Sequence, residues 1–174
     1  MRKNVLWIVL VTGAALVQTT WLRAIAVREA VPDLILVLVV YAAITEGEER
    51  AMFTGLLGGI FQDVSGGAVL GHHVLCLVLV GFVVGRLTTR LITEHPAVKI
   101  ALVFSAAFLH GLLYTCIEYV QHPGSRPMHQ ILAGVIPGTF YTAVFSPVIF
   151  LGILLAEHPM RRRPKPASKG LPPR

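Results

Sequence analysis

The chain has 174 residues, of which 55% are apolar and only 14% are Asp, Glu, Lys or Arg, whereas a soluble domain carries about a quarter charged residues. Its net charge of +6 could suggest a nucleic-acid-binding protein. The cations instead flank apolar blocks, with no aromatic residues interleaved among them, so this composition argues against nucleic acid and for a membrane protein.

Six apolar blocks follow one another along the chain, separated by short polar segments. They run from Asn4 to Leu22, Val31 to Thr45, Ala51 to Phe61, Leu70 to Leu87, Ala97 to Val120 and Ile131 to Ala156. Because a helix needs about 20 apolar residues to cross a bilayer, the pattern predicts an all-α polytopic membrane protein with about six transmembrane helices. Residues 1–160 would form this transmembrane domain, and the basic, proline-rich residues 161–174 a disordered cytoplasmic tail.

Blocks two and three are short for a span, and they leave two arrangements open. They could cross with help from local thinning of the bilayer, or they could form a re-entrant hairpin sheltered by other helices. Block one could also be a signal peptide cleaved after Ala24-Ile25-Ala26, but its apolar run exceeds the usual 7–15-residue signal core. We therefore favour a first transmembrane span.

The distribution of Lys and Arg predicts the orientation. With six spans and a cytoplasmic start, the inner side holds twelve of these residues: Arg2, Lys3, Arg50, Arg86, Arg90, Lys99, Arg161, Arg162, Arg163, Lys165, Lys169 and Arg174. The outer side holds three: Arg23, Arg28 and Arg126. By the positive-inside rule, both termini should be cytoplasmic.

Five ionisable residues should lie together near the outer boundary of the membrane: Asp33, Asp63, His72, His73 and Glu118. Pro32-Asp33 suits the first turn of a helix, where an anion is favourable. Asp63 ends block three, where an anion opposes the helix dipole, so it needs another partner or water. Interfacial caps in water, a partner-docking surface and a metal or catalytic site are three interpretations, in decreasing order of preference.

Polar residues also mark one face of block five. His110, Tyr114 and Glu118 are spaced four residues apart, which could form a proton relay but more often forms a hydrogen-bonded seam between helices. His72 and His73 cannot both face one ligand from a regular helix, since adjacent residues diverge by about 100°.

Small residues recur at four-residue spacing, which in membranes lets helices approach closely. The pairs are Gly55 with Gly59, Gly81 with Gly85 and Gly134 with Gly138. Composition predicts a flexible turn at Val64-Ser65-Gly66-Gly67, so the pair Gly67 with Gly71 is expected in a loop and not on a helix face. Pro137 and Pro147 should kink block six. Cys76 and Cys116 lie within apolar blocks and are expected to be core residues.

No motif for catalysis or metal binding is visible. The sequence has no HExxH, GxSxG or GxxxxGK[ST] pattern, no zinc-type Cys/His spacing and no paired carboxylates within one predicted span. We therefore expect neither enzymatic activity nor a cofactor or metal.

The order of short motifs from Pro32 onward carries a resemblance. Pro32-Asp33-Leu34 opens block two, Gly55-Leu56-Leu57-Gly58-Gly59 fills block three, and then come Gln62-Asp63, Ser65-Gly66-Gly67 and Leu70-Gly71-His72-His73. This order resembles the rod shape-determining protein MreD family, at matching length and span count. The acidic turn from Glu46 to Glu49 departs from the family, in which many members are more basic there.

The resemblance implies a non-enzymatic component of the bacterial inner membrane that helps to scaffold peptidoglycan synthesis during cell elongation. It implies MreC as the main partner, with MreB, RodA and a class B penicillin-binding transpeptidase in the same complex. Candidate partner-binding or structural residues are Pro32, Asp33, Gln62, Asp63, Gly67, Gly71, His72 and Glu118.

The family is similar in arrangement to the substrate-binding subunits of vitamin transporters, so a small-molecule-binding transporter subunit is the alternative. A pocket lined by Asp33, Asp63 and His72 would favour the transporter. A solid, glycine-packed interior would favour the scaffold.

Overall fold

The structure, a computed structural model, describes residues 2–20, 32–66, 69–90, 95–124 and 127–161. These residues form six helices and no strands. The helices are α1 (Arg2–Thr20), α2 (Leu34–Thr45), α3 (Glu48–Gly66), α4 (His72–Thr88), α5 (Pro96–Gln121) and α6, which runs without interruption through Pro127–Gln130, a π-helical turn Ile131–Val135 and Ile136–Arg161. The all-α prediction is confirmed for the described residues; the predicted tail from residue 162 onward lies outside them.

Helix α3 is longer than the apolar block that predicted it. Its first turn takes in Glu48 and Glu49, where negative side chains are stabilised by the helix dipole. At the other end, Val64 to Gly66 are helical and not a turn, which corrects the prediction; Gly67 lies outside the described residues. The connection from α2 is tight, with Gly47 at φ 92°, a conformation that favours glycine.

Helix α2 is the centre of the bundle. Every residue from Ile35 to Ala43 is buried, and α2 packs against α1, α3, α4, α5 and α6. A helix that is apolar on all sides is stable only when surrounded, and here protein surrounds it. Its 12 residues span about 18 Å at 1.5 Å per residue, but a helix enclosed by others does not need to match the thickness of the hydrocarbon.

Helices α3 and α4 form a close antiparallel hairpin. A Cβ added at Gly55 would lie 2.7 Å from the Leu77 carbonyl oxygen, and one at Gly59 would lie 2.5 Å from Val74 Cα. On α4, Gly81 and Gly85 approach the backbone of Ala51 and Glu48 in the same way, at 2.9 and 2.6 Å. The structure thus places all four glycines at this helix contact, along its full length.

Gly134 and Gly138 have the same spacing but a different environment. A Cβ at either would meet no atom of the described residues within 4 Å. The prediction that they pack against another helix therefore fails, because spacing alone does not tell which face of a helix meets a neighbour.

The outer surface of the bundle is apolar. Large hydrophobic side chains are exposed on α1, α3, α4, α5 and α6, among them Val9, Phe53, Leu79, Phe108 and Val144. In the described part of the chain, Pro96–Gln121 and Pro127–Leu155 are long and apolar enough to cross a membrane, and Asn4–Thr20, Leu34–Thr45 and His72–Thr88 are shorter apolar helices. An apolar surface of this extent is typical of contact with lipid.

Helix α6 changes geometry just before Pro137. Ile136 N–H donates to the Ile131 carbonyl, five residues back, at the end of the π-helical turn. Pro137 has no N–H, and its ring crowds the carbonyl four residues earlier, so the wider turn accommodates it. Pro147 lies inside the α-helical segment Ile136–Arg161, where the type of helix does not change.

Candidate functional site

Polar side chains gather at the two ends of the bundle. At one end, Arg50 bonds to Asn4 (3.0 Å) and to Glu46 (2.7 Å), and Arg86 lies 3.8 Å from Glu48. The other end holds a larger set, here called the aspartate layer: Gln18, Asp33, Gln62, Asp63, His72, His73, His110, Tyr114 and Thr142. Of the five ionisable residues expected to lie together, four are in this layer: Asp33, Asp63, His72 and His73.

Asp33 is the N-cap of α2. Its Oδ1 accepts the Leu36 N–H at 3.1 Å, which is the stabilising role that the sequence predicted for it. The same oxygen accepts from the side-chain amides of Gln62 on α3 (2.9 Å) and Gln18 on α1 (3.3 Å). The Asp33 N–H donates to Thr142 Oγ1 on α6 (3.2 Å), so this residue ties four helices together.

Asp63 is almost completely buried, with 1% of its surface exposed. One carboxylate oxygen accepts the Gly71 N–H (2.7 Å), and the other accepts the His73 N–H (2.9 Å). The sequence predicted that Asp63 needs a further partner, because an anion at the end of α3 opposes the helix dipole. That partner is the N-terminus of α4, which offers free N–H groups and the positive end of a dipole. Gly71 adopts φ 101° to bring this turn close.

His72 and His73 face different partners, as the geometry of a helix requires. The His73 Nδ1 lies 2.9 Å from Asp63 Oδ1, and since a carboxylate only accepts, this nitrogen carries the proton. The His72 ring stacks on Tyr114 of α5 with centroids 4.1 Å apart. Its Nε2 lies 3.2 Å from the Tyr114 carbonyl oxygen and so donates to it.

The stripe on α5 divides into three different environments. Tyr114 joins α4 through the two histidine rings, which is a seam between helices. The His110 Nε2 is buried and has no hydrogen-bond partner among the residues that the structure describes. Within the described ranges, the Glu118 side chain forms no hydrogen bond or ion pair, so contacts do not join it to the aspartate layer.

A cavity of about 160 Å³ lies between α2, α5 and α6. Its wall is formed by Asp33, Leu36, Ala107, His110, Gly111, Gly134, Val135, Gly138, Thr139 and Thr142. Asp63 and His72 do not line it. Gly134 and Gly138 thus border an opening in the bundle and not a helix contact.

The family model of the rod shape-determining protein MreD matches residues 1–156. The chain belongs to the MreD family. No curated protein and no solved structure matches the chain. Membership makes this chain a membrane protein with a role in determining rod shape.

The motif region of this MreD family member forms one structural unit. The motifs from Pro32 to His73 build the cap of α2, the glycine face of α3 and the Asp63 bond to the start of α4. Pro32 itself is buried. Each of these motifs therefore has a place in the α2–α3–α4 packing.

Sequence reasoning missed Gln18 and Thr142. Gln18 donates to Asp33 and also accepts the Ile35 N–H at 3.2 Å, and Thr142 accepts from Asp33. Each is a polar residue within a mostly apolar block, which is the signal that could have found them. Which aspartate they would contact depends on the tertiary fold.

Proposed function

We propose that this MreD family member is a non-enzymatic inner-membrane component of the cell-elongation complex. It would help to scaffold peptidoglycan synthesis through MreC, with MreB, RodA and a class B penicillin-binding transpeptidase as further members. The observation that carries the proposal is that the aspartate layer bonds helices to one another. Asp33 and Asp63 receive N–H donors from the protein itself, as a rigid scaffold requires.

We also propose six transmembrane spans with both termini in the cytoplasm. The twelve-to-three bias of Lys and Arg supports this orientation. The packing supports full transmembrane spans for α2 and α3 and argues against a shallow re-entrant hairpin. The reason is that α3 runs from Arg50 at one polar end of the bundle to Asp63 at the other. The Gly85 contact with Glu48 and the Gly59 contact with Val74 show that α4 runs the same distance.

The transporter alternative required a pocket lined by Asp33, Asp63 and His72. Only Asp33 lines the cavity, while Asp63 and His72 are engaged between helices. The cavity of about 160 Å³ is also smaller than the roughly 300–1,000 Å³ typical of small-molecule pockets. The α3–α4 contact is packed through glycines. These three observations favour the scaffold.

Site-specific crosslinking tests where the partner docks. Val64, at the end of α3, and Val120, at the end of α5, are 68% and 78% exposed, and both helices end on the side of the bundle that holds the aspartate layer. Leu155, 65% exposed and towards the opposite end of α6, is a matched control. Single cysteines would be placed at each position after the native Cys76 and Cys116 are replaced by alanine.

We expect crosslinks from positions 64 and 120 to MreC in intact cells, and none from position 155. Immunoblots for both proteins would identify the product. Equal crosslinking at all three positions would mean collision in the membrane and not docking. Absence of MreC from every product would contradict the proposed partnership.

A further inference from the structure

We infer that the cavity between α2, α5 and α6 is a binding site for a primary ammonium group. This goes beyond the proposed scaffold function and does not depend on it. The site would take the aminoethyl headgroup of a lipid or a small free amine, since both present the same chemistry. Three features of the cavity lead to this class of ligand: its charge, its hydrogen-bonding groups and its size.

The charge of the wall comes from one residue. Among the described residues that line the cavity, Asp33 is the only Asp, Glu, Lys or Arg. Its Oδ1 already accepts from Leu36, Gln62 and Gln18, whereas its Oδ2 accepts no hydrogen bond from any residue in the described ranges. One carboxylate oxygen is therefore available, and a cation is the complementary ligand.

The other polar groups of the wall can act as acceptors. Thr139 and Thr142 supply hydroxyl oxygens, and both residues are buried. His110 supplies an imidazole whose Nε2 is buried and has no partner in the described part of the chain, which is costly unless something bonds to it. An ammonium group has three N–H donors and no acceptor, so it can satisfy the carboxylate, a hydroxyl and the imidazole together.

Glycines keep the cavity open. Within the described ranges, a Cβ at Gly134 or Gly138 would meet nothing within 4 Å, and the π-helical turn Ile131–Val135 carries the first of them. Such turns occur frequently at functional sites. The volume of about 160 Å³ accommodates an aminoethyl group, whereas a trimethylammonium group is bulkier and has no N–H to donate.

Access from the membrane is consistent with a lipid headgroup. The exposed apolar residues Leu132, Phe140 and Val144 lie on α6 next to the cavity-lining residues. Acyl chains could cover this face while the amine enters between the helices.

The test uses the full chain in nanodiscs, with native mass spectrometry of bound lipid and thermal unfolding as readouts. The probes are phosphatidylethanolamine, phosphatidylcholine and phosphatidylglycerol, followed by free ethanolamine and choline. We expect retained phosphatidylethanolamine and a raised midpoint of unfolding with it, and neither with phosphatidylcholine or phosphatidylglycerol. If free ethanolamine displaces the lipid, the amine alone is recognised; if it does not, the acyl chains also contribute.

Two variants locate the site. Asp33→Asn retains an N-cap oxygen for α2 but removes the charge, and should weaken amine binding about tenfold or more, as loss of a charge-assisted hydrogen bond does. Gly138→Leu should fill the cavity and abolish binding, whereas Gly152→Leu, on the same helix and outside the cavity wall, should leave it intact.

Equal retention of phosphatidylethanolamine and phosphatidylcholine would overturn the inference. So would amine binding that survives both Asp33→Asn and Gly138→Leu, or the absence of any amine binding to the folded wild-type protein. These readouts need no partner protein, so they are separate from the crosslinking test of the scaffold function.

Discussion

Asp33 lies at the start of a helix and Asp63 at the end of one, yet both carboxylates accept backbone N–H groups at the start of a helix. Asp33 precedes α2 and bonds to the N–H of Leu36 within the same helix. Asp63 lies in the last turn of α3 and bonds to N–H groups of α4. The helix dipole that favours the Asp63 charge therefore belongs to α4 and not to α3. Loss of the Asp63 carboxylate would weaken the connection between these two helices.

The two aspartates should differ in their response to amidation. Asp63→Asn keeps one acceptor oxygen but replaces the other by an amino group that faces backbone N–H donors, and it removes the charge opposite His73. We expect it to lower the free energy of unfolding by about 1–3 kcal/mol, the cost of unpaired buried groups. Asp33→Asn retains the cap and should cost less. Thermal unfolding in detergent would measure both.

The same pair should separate in cells. We expect Asp63→Asn to impair rod shape more than Asp33→Asn in a depletion strain, with both proteins inserted, since removing a charge eases entry into the membrane. Immunoblots provide the control for protein level. If cells with Asp63→Asn grew as normal rods, the bond from Asp63 to α4 would be dispensable. The aspartate layer would then not be a functional site.

The close packing of the α3–α4 hairpin depends on the absence of side chains at its glycines. Each glycine of this contact brings a backbone atom of the other helix within 3 Å of the position where a Cβ would be. Gly58 likewise approaches the Ile35 side chain of α2. Glycine is unfavourable within a helix, so close packing is the reason for these positions.

A single methyl group should therefore be enough to disturb the hairpin. In Gly59→Ala the new Cβ would lie 2.5 Å from Val74 Cα, and backbone atoms cannot rotate aside. We expect a loss of about 1–3 kcal/mol in the free energy of unfolding, as overpacking typically causes. Thermal unfolding of the purified protein is the measurement.

Gly152→Ala is the matched control for this prediction. Gly152 lies in α6, and a Cβ there meets no atom within 4 Å. It should be neutral or slightly stabilising, because alanine favours the helix. An equal loss of stability in both variants would show that glycine matters through backbone conformation and not through packing.

We expect the C-terminal tail to contribute little to membrane insertion and to function. Residues 164–174 are basic and rich in proline, with few apolar side chains to dock, and Arg161 to Arg163 remain when they are deleted. Juxtamembrane cations contribute about 1 kcal/mol each towards anionic lipid, so insertion should persist. We expect the truncated protein to restore rod shape; failure at normal protein level would identify the tail as a binding element.

At the scale of the whole molecule, the arrangement of charges predicts the orientation. Reporter fusions at Glu48, Glu94 and Lys169 should all report the cytoplasm, because the proposed six-span arrangement places twelve of the fifteen Lys and Arg residues on that side. A fusion at Gly124 should report the opposite side and is the control. An external signal at Glu94 would contradict the six-span arrangement.

Hydropathy was sufficient to predict the six helices, and the order of short motifs was sufficient to predict the family, because both are properties of consecutive residues. The apolar blocks predicted the bounds of α4 and α5 to within about two residues at each end. The need of Asp63 for a partner also followed from the sequence, since it rests on the dipole of its own helix. These conclusions required no knowledge of which helices are neighbours.

Only the tertiary structure decided how the helices face one another. It selected α4 as the partner of Asp63, enclosed α2 on all sides, and packed Gly55 and Gly59 while leaving Gly134 and Gly138 at a cavity. Identical spacing within a helix has opposite outcomes because packing depends on the face presented to a distant segment. Sequence periodicity describes that face but does not identify the segment that covers it.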